Sequence, residues 1–184
     1  MSSTHSRSKI IELLSQRVVK DFSLLTQEEM CEFVALTRNL EDEVASMGGH
    51  TDIDYTTQVE QILTTIEPYV QDEISLLTVN DLINAYVGFS HTHVSRPFQI
   101  INLLEARLIN LAHGQKINFH DATEILYEFS QRQIGSKVLI ETLINMVETI
   151  SAEKFEKFED NEVLSVDKDI GFKLIVALDT VQSE

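Results

Sequence analysis

Apolar residues recur along most of this chain at intervals of three and four, the spacing that gathers side chains on one face of a helix. One stripe runs Ile100, Leu103, Leu104, Leu108 and Leu111, and another runs Ile140, Leu143, Ile144, Val147 and Ile150. Ahead of each lies a shorter apolar stretch, ending in Phe89-Ser90 and in Phe129-Ser130. Thr78-Val-Asn-Asp81, Asn118-Phe-His-Asp121 and Thr26-Gln-Glu-Glu29 each place a capping residue three positions before a carboxylate. In such a box the first side chain accepts from an orphan amide and the acid reaches back to the amide of the cap residue. The acid also suits the positive end of the helix dipole. Each of the three sites is therefore predicted to open a helix.

The two later copies lie 40 residues apart: Asp81, Phe89 and Ser90 return as Asp121, Phe129 and Ser130. Ile100, Leu103 and Leu104 return as Ile140, Leu143 and Ile144, so one registration is expected to align both helices of a pair. Ser95 is expected to cap the second helix of the middle pair, with Pro97 in its first turn and Gly114 as its stop. The upstream copy is longer, and its excess falls in MGGHTDIDYTT (47–57), expected to be a loop because of Gly48 and Gly49. The helix after it, near 56–73, contains Pro68, which is expected to kink it or open its last turn.

A helical hairpin cannot bury its stripe alone, so neighbouring hairpins stack. The expected fold is all-α, a short α-solenoid of stacked antiparallel helical hairpins with an irregular C-terminal segment. Residues 1–20 form a tail and a leading helix (8–20), 21–160 the hairpin repeats, and 161–184 a docking segment whose 171–181 stretch fits a helix or a strand.

Units reading LLTxxDLxxxxxGFS followed by a second helix resemble the degenerate helical repeats of organellar proteins. These are the pentatricopeptide and octotricopeptide classes, and especially the helical region of FAST-kinase-like and RAP-domain proteins. The resemblance covers roughly residues 20–150. It implies a mitochondrial or plastid location and binding to RNA or to other subunits of a complex. RNA-reading members usually carry a basic concave face, and this chain departs from that pattern.

Its net charge is −16, and the acid is unevenly spread. Residues 21–84 hold fourteen acids against Arg38 alone. Phosphate affinity needs clustered Lys and Arg, so this balance points to a basic protein surface as the partner. The central cations Arg96, Arg107, Lys116, Arg132 and Lys137 are the candidate partner-binding residues, and they are also where RNA would be held. Arg96 and Arg107, eleven residues apart, are expected to share one face of a helix. MSSTHSRSKIIELLSQRVVK, Ser-rich and basic, has features of a mitochondrial targeting segment. Without such targeting the chain is expected in the cytoplasm. The longest apolar runs, such as LIVAL at 174–178, are too short to cross a bilayer.

Nothing in the pattern names a reaction. His91 and His93 lack the Cys or carboxylate company of a metal site. EDEVASMGGHTDID and VDKDIG fail the ligand spacing of a calcium loop. Cys31, the lone cysteine, has no base at hand and is expected to be a buried thiol. No phosphate-binding glycine loop and no nucleophile or zinc signature occurs. No cofactor and no small-molecule substrate are expected. The expectation is a non-catalytic structural or assembly subunit of a large mitochondrial complex, such as a ribosome, an ATP synthase or a respiratory-chain assembly. The alternative is an organellar RNA-binding repeat protein.

Overall fold

The computed structural model describes residues 24–46, 53–90 and 98–156. The leading helix at 8–20, Gly48 and Gly49, His91, His93, Ser95, Arg96 and Pro97, and the whole of 161–184 lie outside them. Among the described residues there are six helices and no strand: α1 Gln27–Ser46, α2 Ile53–Glu73, α3 Val79–Phe89, α4 Ile100–His113, α5 Phe119–Arg132 and α6 Lys137–Glu156. The chain divides into two compact units, Met1–Leu104 and Glu105–Glu184, with the division inside α4.

In the first unit α1 starts at a complete capping box. The Glu29 amide donates to Thr26 Oγ1 at 3.2 Å, and the Thr26 amide donates to Glu29 Oε2 at 2.8 Å. Those hydrogen bonds, from the Thr26 amide first and its hydroxyl second, hold the Glu29 carboxyl below its ordinary range. α3 repeats the device: the Asp81 amide donates to Thr78 Oγ1 at 3.2 Å and the Thr78 amide to Asp81 Oδ2 at 3.1 Å. Leu77 before the cap and Leu82 at the fourth helical position are both buried, the placement of a hydrophobic staple.

α1 packs against both α2 and α3. Val34 and Cys31 of α1, Ile62, Leu63 and Ile66 of α2, and Leu82, Ala85 and Phe89 of α3 form the buried core. Phe89 meets Phe98 edge to face, with ring centroids 5.3 Å apart. The α1–α3 contact is backbone to backbone at one point. A Cβ built on Gly88 would fall 2.4 Å from the Val34 carbonyl carbon, so only glycine lets the two helices approach this closely.

Two details of the first unit correct the sequence reading. α2 begins at Ile53, so residues 53–57 belong to the helix and not to the loop. α2 also runs through Pro68 to Glu73, so of the kink or opened last turn expected there the opening does not occur. Proline removes the bond to the carbonyl four residues back, on Thr64. Both Thr64 and Pro68 are exposed, so water can serve that carbonyl.

In the second unit α5 opens with the Asp121 amide donating to Asn118 Oδ1 at 2.9 Å. Here the Asp121 carboxylate takes the Asn118 side-chain amide, at 2.8 Å, in place of the backbone bond that the threonine boxes make. Leu126, Ile125 and Phe129 of α5 are buried with Leu139, Leu143 and Val147 of α6, and these two helices pack together. α4 and α5 end alike. Lys116 and Ile134 donate their amides back to Leu111 and Phe129, at 2.9 and 3.0 Å, closing Schellman motifs. The left-handed residue is Gln115 in one and Gln133 in the other, both at φ 53°. Gly114, expected as the stop, stands one position before the left-handed one.

The first helices hold the 40-residue registration: Leu82, Ala85, Tyr86 and Phe89 are buried, as are Ala122, Ile125, Leu126 and Phe129. The second helices do not. Leu103 is 43% exposed while Leu143 is 0%, so that pair is not equivalent. Burial instead aligns Ile100, Leu104 and Leu108 with Leu139, Leu143 and Val147, an offset of 39, and with Ile62, Ile66 and Val70 of α2. From Phe129 to the first core position of α6, Leu139, is thus one residue less than from Phe89 to that of α4, Ile100.

The starts of the second helices are held by acids far away in sequence. The Ile100 amide donates to Glu67 Oε1 at 3.1 Å, a bond that fixes the start of α4 beyond Ser95 and Pro97, where the sequence placed it. Ser136 caps α6 by accepting from the Leu139 amide at 3.2 Å, and its hydroxyl donates to Glu105. Glu67 and Glu105 each come directly after the middle residue of a core triad, Ile66 and Leu104 respectively.

Because Asp81 is buried and closes a full box, Asp81→Ala should cost about 1 kcal/mol of stability. Asp121→Ala should cost clearly less, since its carboxylate serves only the cap side chain. Urea denaturation of the two variants measures the difference, and equal losses would argue against the two geometries.

Candidate functional site

The described residues of the first unit show one sign of charge to their surroundings. Within residues 24–46 and 53–90 Arg38 is the sole Lys or Arg, and it is only 6% exposed. Its Nη1 donates to the Ser90 carbonyl at 3.0 Å and its Nε lies 3.0 Å from Asp42 Oδ1. Arg38 therefore serves the fold, tying α1 to the end of α3, and contributes little positive potential outside. Glu28, Glu29, Glu32 and Asp72 are exposed, and Glu60, Glu67 and Glu73 are half-exposed. No basic residue lies in the last turn of α1, α2 or α3, where a cation would suit the helix dipole. Glu28 and Glu32 stand one turn apart on α1, a like-charge spacing that costs an isolated helix a few tenths of a kcal/mol.

The candidate cations are differently placed. Arg96 lies outside the described residues, and α4 begins at Ile100, so the described helix does not carry Arg96 onto a face shared with Arg107. Arg107 is half-buried in α4. Lys116 is exposed in the turn after it. Arg132 pairs with Glu128, with Nε to Oε2 at 3.2 Å, and Lys137 with Glu141 at 3.7 Å. The last two thus meet acids one turn away on their own helices, a spacing already visible in the sequence.

Sequence reasoning missed Glu67 and Glu105, whose partners lie 33 and 31 residues away. No local pattern signals such a bond. Among the described residues no three His, Cys, Asp or Glu side chains cluster as metal ligands. No described helix is long and apolar enough to cross a membrane. Cys31 is buried on α1, and burial first, the Asp81 charge second, push its thiol up to about 12. A thiol so held is no nucleophile at neutral pH. Comparison with protein-family models, curated proteins and solved structures finds no match to this chain.

Proposed function

We propose that this protein is a non-catalytic scaffold or assembly subunit whose helix pairs stack as a short α-solenoid and whose first unit docks on a basic protein surface. The observation that carries the reading is the acid-only exterior of the described residues 24–46 and 53–90 of that unit, where the one arginine is turned inward. An exterior of one sign steers and orients a complementary surface, and it repels phosphate backbones. Stacking is supported by the close α1–α3 contact and by the glutamates that receive the next second helix. The resemblance of its repeats to organellar ones favours a mitochondrial complex, such as a ribosome, an ATP synthase or a respiratory-chain assembly.

Replacing Glu28 and Glu32 together by lysine tests the docking. Both are exposed, and neither belongs to the capping box. Affinity purification in mild salt should recover partner subunits in stoichiometric amounts with the native chain. The double variant should recover them at least tenfold less well while its helical circular dichroism is unchanged. Undiminished recovery would remove the acidic surface from the interface. Recovery of salt-sensitive RNA in place of protein would shift the reading to Arg107, Lys116, Arg132 and Lys137 and to RNA binding.

A further inference from the structure

α6 carries two stripes. Leu139, Leu143 and Val147 form the buried one. About 100° round the helix, Thr142, Met146 and Ile150 line an open groove of about 600 Å³, opposite Ala112, Ile117 and Phe119. The rest of the lining is Asn, Gln, Thr and His113, without a single carboxylate, lysine or arginine. In a chain of net charge −16 such a surface suits an uncharged, apolar occupant.

The series of receiving glutamates also breaks at α6. On α2 and α4 the residue after the middle core position is a glutamate that receives the start of the next second helix. On α6 the residue after Leu143 is Ile144, half-buried. The carboxylate that would receive another helix start is missing, so whatever packs beyond α6 is received by apolar contact.

We propose that residues 171–181 of this same chain, GFKLIVALDTV, occupy the groove. Five consecutive uncharged apolar residues, 174–178, need burial, and the flanking Lys173 and Asp179 cancel in charge. The intervening 157–170 carries five acids and is unfit for a neutral groove. Reach is ample. The stripe on α6 ends at Ile150, six residues before Glu156, or about 9 Å along the axis. The fourteen residues 157–170 can span roughly 45–50 Å. Tethering at that length supplies an effective concentration of about a millimolar, so modest intrinsic affinity is enough. The groove shares no residue with the proposed interface at Glu28 and Glu32.

Disulfide pairing in the full chain tests it. Met146→Cys with Ile175→Cys, and Thr149→Cys with Leu178→Cys, should give an intramolecular disulfide in monomeric protein for at least one pair under mild oxidation. Glu148→Cys, exposed and about 200° round α6 from Met146, with Ile175→Cys should give none. Disulfides only between chains would overturn the proposal in favour of a second copy in the groove. No disulfide at all, with helical dichroism intact, would overturn it outright. Should the cysteine pairs fail to fold, Val176→Asp offers a separate reading. Amide exchange across 142–150 should quicken at least tenfold in that variant, and unchanged exchange would refute the docking.

Discussion

Gly88→Ala should destabilise the first unit by about 3 kcal/mol, the upper part of the range for overpacking a close contact. The added methyl would stand 2.2 Å from Val34 Cγ1 and 2.4 and 2.5 Å from the Val34 carbonyl carbon and oxygen. A side chain can turn aside, but the carbonyl is part of α1, so α1 and α3 must move apart. Alanine's better helix propensity, about 1 kcal/mol, offsets only part of that loss. The protein supplies its own control. Forty residues on, the equivalent position is Glu128 on α5, which is half-exposed and pairs with Arg132 at the surface. Glu128→Ala should cost a few tenths of a kcal/mol. Urea denaturation followed by circular dichroism compares the two, and a Gly88→Ala loss no larger than the Glu128→Ala loss would contradict the α1–α3 contact.

The second large effect is chemical. With its thiol raised from 9.0 to about 12, Cys31 carries on the order of a thousandfold less thiolate in the folded chain than in the unfolded one at neutral pH. A thiol reagent at pH 8 should leave the native protein unmodified and react fully once urea is added. Prompt reaction of the native chain would show that the α1 core opens. The same shift makes stability depend on pH. Because the folded value is raised, the contribution is complete below 9.0 and fades as pH climbs toward about 12. Cys31→Val should remove that alkaline loss, which a pH series of melting temperatures would reveal.

How much of the fold is legible in the sequence depends on how far apart the partners are. The boxes at Thr26, Thr78 and Asn118 are readable because cap and acid are three residues apart and the chemistry is local. Phe89 and Phe129 are readable because each keeps a fixed distance from its cap along one helix. The second helices mislead by one residue. Leu103, Leu104, Leu143 and Ile144 are all apolar, so a slip by one still matches leucine with leucine, although it turns the helix by 100°. Only burial separates Leu103 from Leu143. The start of α2 escapes because Ile53 to Thr57 offers polar and β-branched residues beside a glycine pair, a composition that suits a loop equally well. Arg38 counts as a surface charge in any tally of the sequence. Its inward turn depends on the Ser90 carbonyl, 52 residues away, which no periodicity encodes.

The exposed acids of the first unit give dissolved salt two opposite jobs. Carboxylates on Glu28, Glu32, Asp72 and their neighbours repel one another, and that repulsion strains the folded unit. Added ions shorten its range to about 10 Å at 0.1 M and so firm the fold. The same ions blunt the pull of these charges on a positive surface, slowing encounter. Low ionic strength therefore leaves the free unit at its most strained and most attractive at once. A cationic surface settling on it would do locally what salt does everywhere, quenching the repulsion and adding that relief to the free energy of association.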